Sequence, residues 1–229
     1  MDRLILFDID GTILNTGGAG SGAMLEALKE VFGRDVPHEG YRMSGKTDTQ
    51  ICLELMTSAG LSEEEVRTGL DAVWAAYVAG VQRRLSDGFE AKVCPGVQEA
   101  VERLHHDARA LLGLLTGNIR AGAMVKLGAV GLDGYFRTGA FGDDHHDRHR
   151  LADIALERGQ QEAGRAFTGK EVVIIGDTPN DIACGQHLGV RTVIVATGTY
   201  TVEQLRPHNP DHLFETLKDT DRILDAIFG

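Results

Sequence analysis

The chain of 229 residues predicts an α/β fold: a parallel sheet flanked by helices, with a helical module inserted after the first strand. Three observations carry this. From about residue 89 onward, short apolar runs alternate with helical periodicities, the rhythm of strand–helix–strand units. Residues 16–88 show helical periodicity alone. The first apolar run, Leu4-Ile5-Leu6-Phe7, reads as a strand buried on both faces and runs directly into Asp8-Ile9-Asp10-Gly11-Thr12. Open α/β sheets bind ligands at the carboxyl ends of their strands, and Asp8 and Asp10 lie at such an end.

The elements follow in order. Gly17-Gly18-Ala19-Gly20-Ser21-Gly22 leaves the first strand; without the lysine and spacing of a nucleotide-binding loop, it reads as a hinge or helix entrance. Met24, Leu28 and Val31 form a helical stripe that Gly33 ends. Thr47 with Gln50 reads as a capping box ahead of Ile51, Leu55 and Met56. Ser62 with Glu65 repeats the device before a long helix carrying Val66, Leu70, Val73, Trp74, Tyr77, Val81 and Leu85. Pro95-Gly96 opens the next helix. A strand at 110–115 ends in Thr116-Gly117-Asn118, and a helix to about Val130 follows. A short strand near 138–141, a polar loop at 142–149 and a helix at 151–163 lead to a strand at 172–175. That strand ends in Gly176-Asp177-Thr178-Pro179-Asn180-Asp181. A helix, a strand at 192–195 and a final strand–helix pair complete the chain. The division is a core of residues 1–15 and 89–229 around an inserted unit, 16–88.

Composition narrows the function. A net charge of −11 excludes a phosphate-backbone binder, which needs a basic face, so no nucleic-acid partner is expected. No apolar run approaches the roughly 20 residues of a membrane helix, and no basic segment ahead of an apolar one marks a signal peptide. Cys52, Cys94 and Cys184 lack metal-ligand spacing and suit a reducing compartment. The chain reads as cytoplasmic, without membrane association.

Two carboxylates as close as Asp8 and Asp10 repel each other and resist ionisation, which a divalent cation with oxygen ligands relieves. Alone, Asp10-Gly11 reads equally well as a turn. The other strand ends decide: Thr116 with Asn118, and Asp177 with Asp181, also put polar groups at the ends of predicted strands. His145, His146 and His149 with Asp143 and Asp144 match no ligand spacing and read as a solvated loop.

The motifs Phe-Asp-Ile-Asp-Gly-Thr (7–12), Leu-Leu-Thr-Gly-Asn (114–118) and Gly-Asp-Thr-Pro-Asn-Asp (176–181) resemble those of the haloacid dehalogenase superfamily, over nearly the whole chain. The helical insertion is most similar to that of its phosphoglycolate phosphatase group. The resemblance implies a Rossmann-like, doubly wound parallel sheet with an α-helical cap. It further implies a magnesium-dependent phosphatase acting on a small phosphorylated metabolite, as a monomer or homodimer. Asp8 would be the nucleophile and Asp10 the acid and base. Asp8, the backbone carbonyl of Asp10, and Asp177 would hold Mg2+, with Asp181 ranked below them as a ligand because it also suits a helix cap. Thr116, with Gly117 and Asn118, would bind the phosphoryl oxygens. The third motif departs from the family's lysine–proline: Asp147-Arg148-His149-Arg150 stands there, and the helix that follows puts Arg148 on the lysine position. Lys46, at the place of the family's cap specificity loop, reads equally as reaching a carboxylate or second anionic group on the substrate and as an exposed lysine before a helix. A sugar-phosphate mutase of the β-phosphoglucomutase type shares these core motifs. A phospho-accepting receiver module clusters similar groups but has no use for the helical insertion.

Overall fold

The computed structural model describes residues 1–229. Along the chain, β1 (Arg3–Phe7) and β2 (Leu14–Asn15) precede three helices, α1 (Ala19–Phe32), α2 (Asp48–Ser58) and α3 (Glu63–Ser86). Then come β3 (Lys92–Val93), α4 (Val97–His105), β4 (Ala110–Leu115), α5 (Arg120–Gly128), β5 (Thr138–Ala140) and α6 (Arg148–Ala163). The chain closes with β6 (Val172–Gly176), α7 (Pro179–Leu188), β7 (Arg191–Val195), α8 (Val202–Leu205), β8 (His212–Phe214) and α9 (Thr220–Phe228).

Six strands form one sheet in the order β5-β4-β1-β6-β7-β8, every pairing parallel. The chain builds outward from β1 through β4 to β5, then returns to the other side of β1 for β6, β7 and β8. This is the doubly wound α/β sheet that the sequence predicts. Such a reversal leaves a crevice at the strand carboxyl ends, and β1 stands beside it.

The period of two along a strand explains why the β1 run is apolar without a break. Ile5 and Phe7 enter a cluster with Val97, Val101 and Leu104 of α4, Leu127 of α5 and Ile223 of α9. Leu4 and Leu6 enter a second cluster with Leu151 and Ala155 of α6 and Cys184 of α7. Asp8 continues the alternation of Leu4 and Leu6, so it emerges on the side of α6.

The helices of residues 19–86 build a third cluster, including Met24, Leu28, Ile51, Leu55, Val73, Tyr77 and Val81, which Ile119 just before α5 joins. The chain leaves and re-enters the core through an antiparallel pair, β2 with β3. Gly33 ends α1 in the left-handed conformation, at φ 62°. The Ser62–Glu65 capping box is complete. The Thr47–Gln50 box is half made: Thr47 Oγ1 accepts from the Gln50 amide, but the Gln50 side chain donates to Glu54 instead. The glycine-rich stretch is a helix entrance, since α1 begins at Ala19. α6 begins at Arg148, three residues before the expected start, because Asp147 caps it by accepting from the His149 amide. All three cysteines are free and buried. No helix is long and apolar enough to cross a membrane.

Candidate active site

The carboxyl ends of β1, β4 and β6 face a cavity of about 330 Å3, closed on its far side by the cap residues Met24, Met43 and Tyr77. Asp8 follows β1 directly and is 5 % exposed. Gly11 turns the chain at φ 87°, and a Cβ there would lie 2.4 Å from Asp177 Oδ2. The turn at Asp10-Gly11 therefore exists and is part of the site.

Arg148, at the first turn of α6, places Nη2 3.1 Å from Asp8 Oδ2 and 2.5 Å from Asp181 Oδ1. It is 7 % exposed. Arg150 lies on the solvent side and pairs with Asp153 at 3.1 Å. Asp181 is the busiest carboxylate. Its Oδ2 accepts from the amides of Asp177 and Thr178 and from Thr178 Oγ1, capping α7, while Oδ1 takes Arg148.

Asp8, Asp177 and Asp181 offer carboxylate oxygens within 4.8 Å of one another and are the only acidic, histidine or cysteine groups so gathered. Asp177 Oδ1 accepts from Thr12 Oγ1 at 2.8 Å, and its Oδ2 is buried with no partner. Burial pushes the Asp8 carboxyl up to about 6, against the opposing pull of Arg148. Burial, with Asp181 and Asp8 beside it, raises Asp177 well above the carboxylate range. An orphaned carboxylate oxygen among like charges suits a hard divalent cation, so the donor set fits Mg2+. Asp8 and Asp177 have oxygens to give; those of Asp181 are committed to α7 and Arg148.

The β4 loop behaves differently from expectation. Thr116 is fully buried and accepts from Asn118 Nδ2 at 2.8 Å. Gly117 and Asn118 line the cavity, yet the Asn118 amide is already spent on Asp10 Oδ2 at 2.7 Å. A Cβ on Gly117 would lie 2.1 Å from the Lys46 carbonyl oxygen, so the cap loop rests directly on this turn. Lys46 itself bonds Glu54 and lies 4.2 Å from the centre of the Tyr41 ring, tied within the cap at the cavity wall.

Two residues that sequence reasoning passed over join the site. Lys126 of α5 is 3 % exposed and donates to both oxygens of Asp10, at 2.9 and 2.7 Å. Its signal was a lysine in the core stripe of a helix, beside Ala123 and Leu127, where an ammonium is costly unless paired. Asp48, the first residue of α2, accepts from the Ile119 amide at 2.8 Å and so caps α5 from across the interface. Burial pushes its carboxyl up to about 7. The histidine loop is structural: Asp144 pairs with Arg158 at 2.6 Å, Asp143 accepts from the Arg120 amide, and His145 stacks on His146.

The model of the family described as haloacid dehalogenase-like hydrolase matches residues 5–195. "Pyrophosphatase PpaX" of Halalkalibacterium halodurans is 25% identical over 225 residues, 97% of this chain and 95% of that one. Among solved structures, a hydrolase from Pseudomonas syringae superposes with a TM-score of 0.75 at 18% identity, covering 100% of both chains. A "predicted phosphoglycolate phosphatase" from Haemophilus somnus superposes with 0.69 at 20% identity, covering 97% of each. A family model spanning every strand end of the site, over the sheet order found here, makes this chain a member of the haloacid dehalogenase-like hydrolases.

Proposed function

We propose that the chain is a magnesium-dependent phosphatase for a small phosphate monoester, acting through an aspartyl-phosphate on Asp8. The observation that carries this reading is Asp8 at the cavity floor, with Arg148 on one flank and the unpartnered Asp177 oxygen on the other. An Asp8 oxygen attacks phosphorus, and the leaving oxygen departs with a proton from Asp10. Water then attacks the aspartyl-phosphate, Asp10 takes back a proton, and inorganic phosphate leaves with Asp8 restored. Arg148 holds Asp8 in place and presents a fixed positive charge toward the transferring group. Asp8, Asp177 and the Asp10 carbonyl would hold Mg2+, which would supply charge neutralisation between carboxylate and phosphate.

Phosphoglycolate is the leading substrate, on the phosphoglycolate phosphatase-like motifs and on a cavity sized for a small metabolite. Pyrophosphate is a second candidate, from the name of the relative from H. halodurans. Phosphate release should be measured from phosphoglycolate, pyrophosphate and glucose 1-phosphate, each with magnesium and with chelator. Magnesium-dependent release, fastest from phosphoglycolate, is expected. Release indifferent to chelation would contradict the reading, and isomerisation of the sugar phosphate without release would favour the mutase.

A further inference from the structure

Lys126 has no part in the steps above, yet it is a fully enclosed ammonium within bonding distance of a reacting group. Its three donors are committed: two contacts go to the Asp10 carboxylate and a third to Asn118 Oδ1. Asn118 Nδ2 completes the arrangement on Asp10 Oδ2 at 2.7 Å. The Asp10 side chain is 44% exposed, whereas that of Lys126 is 4% exposed. A carboxylate facing an open cavity would otherwise sample several rotamers. Here both of its oxygens are gripped by one loop–helix unit. Asn118 lies in the turn just before α5 and Lys126 lies within that helix, and the contact of Lys126 Nζ with Asn118 Oδ1 ties the turn to the helix. The rest of the Lys126 stripe is apolar, and a leucine would fill the position without burying a charge.

We infer that Lys126 is the positioning residue for Asp10. It fixes the carboxyl group in the orientation from which its proton reaches the leaving oxygen. The inference rests on the role given to Asp10 under the proposed function. No proton leaves Lys126 itself; the one that moves passes between Asp10 and the departing oxygen. A group acting this way governs proton delivery, so its removal should hurt substrates in proportion to their need for a proton.

The test is Lys126→Met, which keeps the stem and removes the donors. With magnesium present, kcat/KM is measured on phosphoglycolate, whose alkoxide leaves poorly, and on dinitrophenyl phosphate, whose phenolate leaves unaided. That parameter reports events through phosphorus–oxygen cleavage, before water attacks the intermediate. The loss on phosphoglycolate should exceed the loss on the aryl ester by at least about tenfold, since general acid catalysis is typically worth about 10²–10⁴. In an Asp10→Asn background, adding Lys126→Met should produce no further loss specific to phosphoglycolate. Equal losses on the two esters, or a further specific loss without Asp10, would overturn the inference. If circular dichroism shows Lys126→Met unfolded, Lys126→Gln is read by the same ratio. A wild-type enzyme that releases phosphate from neither ester would end the proposed function and this inference together, whereas an active one with an unaltered ratio would end this inference alone.

Discussion

Arg148 and Arg150 stand two residues apart on α6 and meet opposite surroundings: one lies between two buried carboxylates, the other pairs with Asp153 at the surface. Removing the Arg148 guanidinium takes a preorganised charge from the nucleophile, a loss typically on the order of 10²–10³ in rate. It also strands Asp8 and Asp181, and breaking a buried pair costs about 3–5 kcal/mol. Arg148→Ala should therefore lose both activity and melting temperature, and Arg148→Lys should recover part of each. Arg150→Ala should stay near wild type in both. Steady-state kinetics and thermal melts on the three variants check this, and a dead Arg150→Ala beside a healthy Arg148→Ala would contradict it. At this scale much of the site was legible. Asp8 and Asp177 are carboxylates directly after buried apolar strands, a placement that local sequence displays. Lys126 could be suspected from its place in an apolar stripe, but its partner could not, because Asp10 is 116 residues away and only the fold brings them together.

Between elements, the cap reaches the core through the start of α2. Asp48 caps α5 by accepting from Ile119, Thr47 Oγ1 donates to the His146 carbonyl, and Thr49 Oγ1 donates to that of Gly142. Burial lifts the Asp48 carboxyl from its ordinary 3.8 to about 7, ahead of the lowering influence of Lys126. The folded protein therefore holds a proton there that the unfolded chain has already released. The stabilisation is full below pH 3.8 and is lost as pH rises through about 7. In metal-free protein, Asp48→Asn should flatten the fall in melting temperature across that window, since the amide oxygen still accepts from Ile119. Parallel melting curves for variant and wild type would count against this account of Asp48. Element starts were readable where a cap lies within four residues, as at Ser62–Glu65. The capping of α5 by Asp48 was not, because it spans 71 residues. The two-residue strands β2 and β3 are too short to show a period.

The whole molecule is a doubly wound sheet whose reversal of strand order sets three polar strand ends around one cavity, with the inserted helices closing it. The inserted helices share one apolar cluster, which Ile119 of the core joins, while two further clusters flank the sheet. Metal binding should be felt across the whole fold. At free magnesium about 100-fold above its dissociation constant, the native state gains about 2.7 kcal/mol. For a chain of this length that raises the melting temperature by roughly 5–10 °C. Asp177→Ala should lose most of the rise at the same magnesium concentration. An undiminished rise in that variant would remove Asp177 from the ligand set.

The covalent role of Asp8 is tested most directly by mass spectrometry of enzyme mixed with phosphoglycolate and magnesium, quenched in acid within a turnover and digested. The fragment containing residues 4–12 should gain the mass of one phosphoryl group, at Asp8, and the gain should be absent from Asp8→Asn. Turnover with no phosphorylated fragment, or a phosphoryl group that persists on Asp8→Asn, would contradict the aspartyl-phosphate mechanism.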